Sequence, residues 1–176
     1  MRWSHLITRP LGTIIGLVLR ARHWCYDRGV LSTQVPNVPT IAIGNLSLGG
    51  TGKTPHVELV VRILLNHRVH PIATLSRGYG RMTKGFREVR PEDAAHAVGD
   101  EPLQLKLAHP ALHVFVGADR ADAVQQIVTL VPGTRIVILD DALQHRRITA
   151  GLSVLLTTYA KPYCSDQILP EGTLRD

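Results

Sequence analysis

Short, continuous apolar runs recur along the chain, and segments of helical period separate them. Thr40-Ile41-Ala42-Ile43 reads as a strand, Val57 to Leu65 as a helix, and Ile72-Ala73-Thr74-Leu75 as a second strand. Leu112 to Val116 reads as a third strand, Arg120 to Val131 as a helix, Arg135 to Leu139 as a fourth strand and Leu152 to Leu156 as a fifth. These runs do not alternate apolar with polar positions, as a sheet with one wet face would require. Uninterrupted runs alternating with helices predict an α/β fold whose parallel sheet is buried by helices on both faces. Gly78 to Ala97 is polar and aperiodic and is expected to be a long surface loop. Pro36 and Pro39 bracket a short linker ahead of the first strand.

Before that linker the pattern is different. Leu11 to Leu19 carries no charge, with Arg2 and Arg9 ahead of it and Arg20, Arg22 and His23 behind. A membrane-spanning helix needs roughly 20 apolar residues, about twice this run. The basic start and apolar centre outline a signal peptide, but Arg20-Ala21-Arg22-His23 makes a poor cleavage region. An interfacial helix fits better, its apolar side in the acyl boundary and its arginines, with Trp24, at the lipid phosphates. A core helix packed on the domain is the alternative. Residues 1–35 are thus expected to be a membrane-associating helical segment, and residues 36–176 the α/β domain.

Composition narrows the partners. Lys and Arg number 20 against 14 Asp and Glu, a formal net charge of +6. That favours an anionic partner: phosphorylated substrate, anionic lipid or nucleic acid. Only 5% of residues are aromatic, too few for base-stacking platforms, so nucleic acid is not expected. A hydrophobic fraction of 44% can support a core. Cys25 and Cys164 show no metal-ligand spacing and set no disulfide framework.

In an open parallel sheet, ligands bind beyond the carboxyl ends of the strands. After the first strand stands Ser47-Leu48-Gly49-Gly50-Thr51-Gly52-Lys53-Thr54, opening the next helix with Pro55 in its first turn. This is the context of a P-loop. Glycines let successive N–H groups face an anion, Lys53 reaches the β- and γ-phosphates, and the Thr54 hydroxyl serves Mg²⁺. Ser47 stands where the usual pattern has Gly. The expected fold is therefore P-loop NTPase-like. Asp140-Asp141 ends the most apolar strand, where a carboxylate can hold Mg²⁺ or cap a helix. Asp100, in Gly99-Asp100-Glu101-Pro102, can cap a helix or accept a proton from a substrate hydroxyl. Arg77, in Ser76-Arg77-Gly78-Tyr79-Gly80, can bind an anion or point to solvent. His145 is a weaker catalytic candidate, because a lone His is more often structural.

These motifs together resemble the tetraacyldisaccharide 4′-kinase (lipid A 4′-kinase) family. The resemblance rests on Gly44-Asn45-Leu46-Ser47 running into Gly49 to Pro55, on Ser76 to Gly80, Val98 to Pro102 and Asp140 to His145, and on Leu169-Pro170-Glu171-Gly172-Thr173-Leu174-Arg175. It implies transfer of the ATP γ-phosphate to the 4′-hydroxyl of tetraacyldisaccharide 1-phosphate, at the cytoplasmic face of the inner membrane. It implies Asp100 as base, Lys53 and Thr54 on phosphate and Mg²⁺, and Asp140 and Asp141 on the metal and the site geometry. Gln144 and His145 would lie nearby, and Arg175 with Asp176 would supply a basic-acidic pair, Asp176 standing where Glu is usual. Members of that family are nearly twice as long, so the chain is expected to be a truncated form lacking a closing second domain. The competing reading is a membrane-surface ATPase switch. Such ATPases usually carry Lys where this chain has Leu48, and their membrane helix is usually C-terminal.

Overall fold

A computed structural model describes residues 4–175, with side chains from Pro10 to Arg175. Arg2 and Asp176 lie outside the described residues, as does the side chain of Arg9.

Six strands form one sheet in the order β3-β4-β2-β5-β1-β6. They are β1 (Thr40–Asn45), β2 (Ile72–Ser76), β3 (Arg87–Glu88), β4 (His113–Val116), β5 (Ile136–Asp140) and β6 (Leu152–Leu156). All neighbours run parallel except β3 with β4. The helices are α1 (Ser4–Asp27), α2 (Lys53–Asn66), α3 (Ala95–Val98), α4 (Asp100–Ala108) and α5 (Arg120–Leu130), with a 3₁₀ turn at Tyr163–Ser165.

The continuous apolar runs are explained by two cores, one on each face. Ala73, Leu75, Val137, Leu139 and Phe115 pack with Ala123, Val124 and Ile127 of α5. Their sequence neighbours Ile72, Ile136, Ile138 and Val114 point the other way, against Val57 and Val61 of α2 and Leu105 of α4. α2 and α5 therefore cover opposite faces, and β5 is inserted between β1 and β2. That arrangement opens a crevice at the carboxyl ends of β1, β5 and β2.

Two expectations are corrected. The run Leu152 to Leu156 is not a strand buried on both faces. β6 pairs only with β1 and forms the sheet edge, with Leu152 56% and Leu155 38% exposed. Gly78 to Ala97 is not simply a surface loop either. It contains β3 and α3, and Val89 is fully buried, its N–H donating to the Val114 carbonyl at 2.8 Å. Two-residue strands and single-turn helices are too short for periodicity to reveal.

α1 packs on the domain along one side. Gly12 and Gly16 lie against residues 168–171: a Cβ at Gly12 would meet Pro170 Cδ at 3.7 Å, and one at Gly16 would meet Ile168 Cδ1 at 3.7 Å. At its far end Arg22 donates to the Gln144 carbonyl (3.1 Å), and Arg146 pairs with Asp27 (2.6 Å) and lies over the Tyr26 ring. The opposite side stays apolar and exposed: Leu11, Ile14, Leu17, Val18 and Trp24. No helix among the described residues is long and apolar enough to cross a membrane.

Candidate functional site

β1 ends on Asn45, a polar residue with no exposed surface. Its side-chain amide donates to the Ser47 carbonyl (2.9 Å) and the Gly49 carbonyl (3.4 Å), which folds the loop back over the strand end. Its Oδ1 accepts from Lys53 Nζ (3.1 Å) and Arg175 Nη2 (2.8 Å). Gln144 Nε2 donates to the Asn45 main-chain carbonyl at 2.7 Å. One buried amide thus aims the loop lysine and fixes the loop. α2 begins at Lys53, after Gly52 at φ +76°, a conformation that favours glycine, and no side chain caps this end. The first-turn N–H groups are left for an anion, which the helix dipole also favours.

The chain returns to the loop through residues 173–175. Leu48 N donates to the Thr173 carbonyl (2.7 Å), and Arg175 N to the Leu46 carbonyl (2.8 Å). The Arg175 guanidinium makes a two-pronged contact with Asp141, at 3.1 and 3.3 Å. Lys53 Nζ stands 3.7 Å from the same carboxylate.

Asp140 and Asp141 diverge as a strand end dictates. Asp141 leaves the strand at φ +52° and joins the Lys53 and Arg175 charges. Asp140 continues the Ile136–Ile138 face and is buried, its Oδ1 without a partner among the described residues. Burial, and after it the carboxylates of Glu101 and Asp141, push its carboxyl up to about 7 against the opposing charges of Lys53 and Arg120. Between roughly pH 4 and 7 the folded chain then holds a proton that the unfolded chain has lost, so stability falls as pH rises through that window. Asp140→Asn is expected to raise the melting temperature at pH 8 and to leave it nearly unchanged at pH 4. Equal shifts at both values would sink this account of Asp140.

The third wall comes from β2 and α4. Gly78 and Gly99 touch backbone to backbone: a Cβ on Gly78 would lie 2.7 Å from the Val98 carbonyl oxygen, and one on Gly99 would lie 3.2 Å from Gly78. This contact sets Arg77 and Tyr79 beside the start of α4. Asp100 is the first residue of that helix and does not cap it; the cap position is Gly99, with no side-chain bond. Among the described residues the side chains of Asp100 and Arg77 have no hydrogen-bond or ion-pair partner. Lys53, Arg77, Asp100, Glu101, Asp140, Asp141 and Arg175, with Leu48 and Gly49, line one cleft of about 500 Å³.

Other site candidates fall around it. Thr54 borders a small void beneath the cleft floor, together with Asp140. Gly50, Thr51 and Gly52 complete the loop, and the Thr51 hydroxyl is buried without a partner. Gln144 braces β1 from behind and accepts from α1 through its carbonyl. His145 does not line the cleft. It borders a neighbouring hollow with Arg120 and Arg147, and burial, then the Arg120 and Arg77 charges, lower its pKa. Arg120 is buried beneath the strand ends, donating to the Gly117 and Asp140 carbonyls, and burial lowers its guanidinium to about 10.

Asn45 and Glu101 are site residues that motif reading passed over. Asn45 had a usable signal, a polar residue closing an apolar strand just ahead of a glycine loop. Glu101 had none beyond its place next to Asp100.

The donors suit Mg²⁺ rather than a caged metal. Among the described residues no three His, Cys, Asp or Glu side chains gather to hold an ion. Mg²⁺ typically takes one or two protein oxygens and completes its shell with water and substrate phosphates. The Asp140 carboxylate at the cleft wall and the Thr54 hydroxyl fit that need.

A family model described as tetraacyldisaccharide-1-P 4′-kinase matches residues 4–176. The tetraacyldisaccharide 4′-kinase of Phocaeicola vulgatus is 39% identical over 169 residues, covering 95% of this chain and 46% of that protein. That of Flavobacterium psychrophilum is 41% identical over 167 residues, covering 95% of this chain and 48% of that protein. A crystal structure of an "apo" form LpxK from Aquifex aeolicus in complex with ATP superposes with a TM-score of 0.86 at 31% identity. It covers 98% of this chain and 53% of that one. The chain spans about half the length of the curated relatives it matches.

Proposed function

The chain belongs to the tetraacyldisaccharide-1-P 4′-kinase family, and from that premise we propose that its cleft serves transfer of the ATP γ-phosphate to the 4′-hydroxyl of tetraacyldisaccharide 1-phosphate. The observation that carries this reading is the meeting of Lys53 and Asp100 in one cleft. Lys53 and the N–H groups of the Ser47–Thr54 loop bind the β- and γ-phosphates. Thr54 and Asp140 would hold Mg²⁺, with Asp141 tied to Lys53 and Arg175. When bound, the ion neutralises charge on the transferring phosphoryl group. Asp100 takes the proton from the acceptor hydroxyl as its oxygen bonds to the γ-phosphorus. The bond from that phosphorus to the bridging oxygen breaks, and ADP leaves with the electron pair. Arg77, unpaired at the rim, is placed to meet an anionic group of the acceptor.

The acceptor is acylated, so the enzyme must work where it is anchored. The exposed apolar side of α1, with Trp24 under Arg28, supports peripheral binding of residues 1–35 to an anionic membrane at its cytoplasmic face. Residues 36–176 then carry the phosphate chemistry.

Nucleotide binding and vesicle flotation on one pair of proteins test both halves. Lys53→Ala is expected to weaken ATP binding about 10- to 100-fold, since it deletes a charge-assisted contact. Flotation with phosphatidylglycerol-containing vesicles should not change. Equal ATP binding by both proteins would remove the phosphate loop from the reading. No flotation of either would remove the membrane half.

A further inference from the structure

β2 is the central strand flanked by β4 and β5, and four of its five residues are buried. Thr74 is 3% exposed, and its Oγ1 has no partner among the described residues. A valine would fill that place in the strand without leaving a polar atom unpaired. The register sets Thr74 opposite Ile138 of β5. Asp140 lies two residues farther along the same face, so the hydroxyl and the carboxylate are diagonal neighbours.

Between them is a void of about 10 Å³, bordered by Thr54, Thr74, Ser76, Glu101 and Asp140 and otherwise lined by apolar side chains of α2, α4 and β4. That is about the space one water needs, and a buried water needs two to four polar partners. Thr74 and Asp140, whose Oγ1 and Oδ1 are buried and unpartnered among the described residues, both border it. Asp140 also borders the large cleft. With Ser76, Glu101 and Pro102, which border both spaces as well, it forms the partition between the void and the cleft.

We propose that one ordered water occupies this void, bonded to Thr74 Oγ1 and Asp140 Oδ1, and that Thr74 is a positioning residue for the carboxylate that meets Mg²⁺. The water holds one oxygen of Asp140 from behind and leaves the other for the cleft. Without it the carboxylate is free to turn its charge toward Lys53 or to swing into the void. Thr74 itself touches neither nucleotide nor acceptor. The proposal rests on the assignment of Asp140 to the metal given above.

The test compares the 176-residue chain with Thr74→Val, which keeps the shape and removes the hydroxyl, and Thr74→Ser, which keeps the hydroxyl. Each is titrated with Mg²⁺ at fixed concentrations of a fluorescent ATP analogue, and again in EDTA. For Thr74→Val the Mg²⁺ concentration giving half-maximal enhancement of binding is expected to rise about 5- to 20-fold. Affinity in EDTA should stay the same, and so should the melting temperature, or it should rise. Thr74→Ser should behave as the parent. A merely structural role for Thr74 would move the melting temperature or the EDTA affinity and leave the Mg²⁺ dependence alone. If the parent shows Mg²⁺-enhanced binding and Thr74→Val matches it, Thr74 has no positioning role, while the metal assignment stands. If the parent shows no Mg²⁺ enhancement, the metal assignment fails and takes this role with it.

Discussion

Asp100→Asn is expected to lower phosphoryl transfer about 10²- to 10⁴-fold, the usual worth of a placed general base. Nucleotide binding should change little. The side chain opens α4 without capping it and has no partner among the described residues, so the amide removes no structural bond seen there. It lines the cleft with Lys53, yet the proposed phosphate contacts belong to the loop. The measurement is transfer of label from γ-labelled ATP to tetraacyldisaccharide 1-phosphate in mixed micelles, alongside ATP binding. The variant is best made both in this chain and in a protein extended to the length of the curated relatives. Loss of transfer with binding retained identifies Asp100 as the base. An unchanged rate, in a protein whose parent transfers label, would assign the proton to another group.

Gly78→Ala should produce the largest structural effect. Gly78 has φ +70°, and a Cβ there would lie 2.6 Å from Arg81 Cδ and 2.7 Å from the Val98 carbonyl oxygen. Arg81 can bend away; the carbonyl cannot without shifting the start of α4. Left-handed strain and the clash together should cost about 2–4 kcal/mol, which lowers the melting temperature by roughly 5–15 °C for a chain of this size. Gly85→Ala is the control, because Gly85 has φ +79° but open space around it. It should carry only the backbone cost of about 1–2 kcal/mol. Equal losses in the two variants would show that the close approach contributes nothing. Activity should fall further than stability in Gly78→Ala, because moving Val98 and Gly99 moves Asp100, and about 1 Å of misplacement can cost 10²-fold.

The sheet could be read from the sequence because its central strands are buried on both faces and therefore uniformly apolar. β1, β2, β4 and β5 all appear within one or two residues of their final limits. β6 was over-read: the same apolar composition serves at an edge, and periodicity does not report what lies beyond a strand. The glycine loop and Asp140-Asp141 were legible because their chemistry is local in sequence. Asn45 was harder. Its role comes from partners at Lys53, Gln144 and Arg175, and no spacing announces contacts of that range. The difference between Asp140 and Asp141 was equally hidden, because it depends on which face of the strand end each one leaves. α1 was recognised as an apolar, basic helix, but its two sides were not resolved. Gly12 and Gly16 mark the packed side only once residues 168–171 are known to lie there.

The bonds from Arg175 to Asn45 join positions 130 residues apart in the chain, and this sets an order of events on the ribosome. The proposed phosphate loop emerges first, and the guanidinium that braces it emerges 130 residues after Asn45. At about 5–20 residues per second the two are separated by roughly 6 to 26 s. During that interval Asn45 and Lys53 exist without their bracing cation, and Asp141 joins them only for the last 34 residues. A nascent chain should therefore bind nucleotide poorly until residues 173–175 have cleared the exit tunnel, and competence to bind should arrive in one step at that point rather than grow with length.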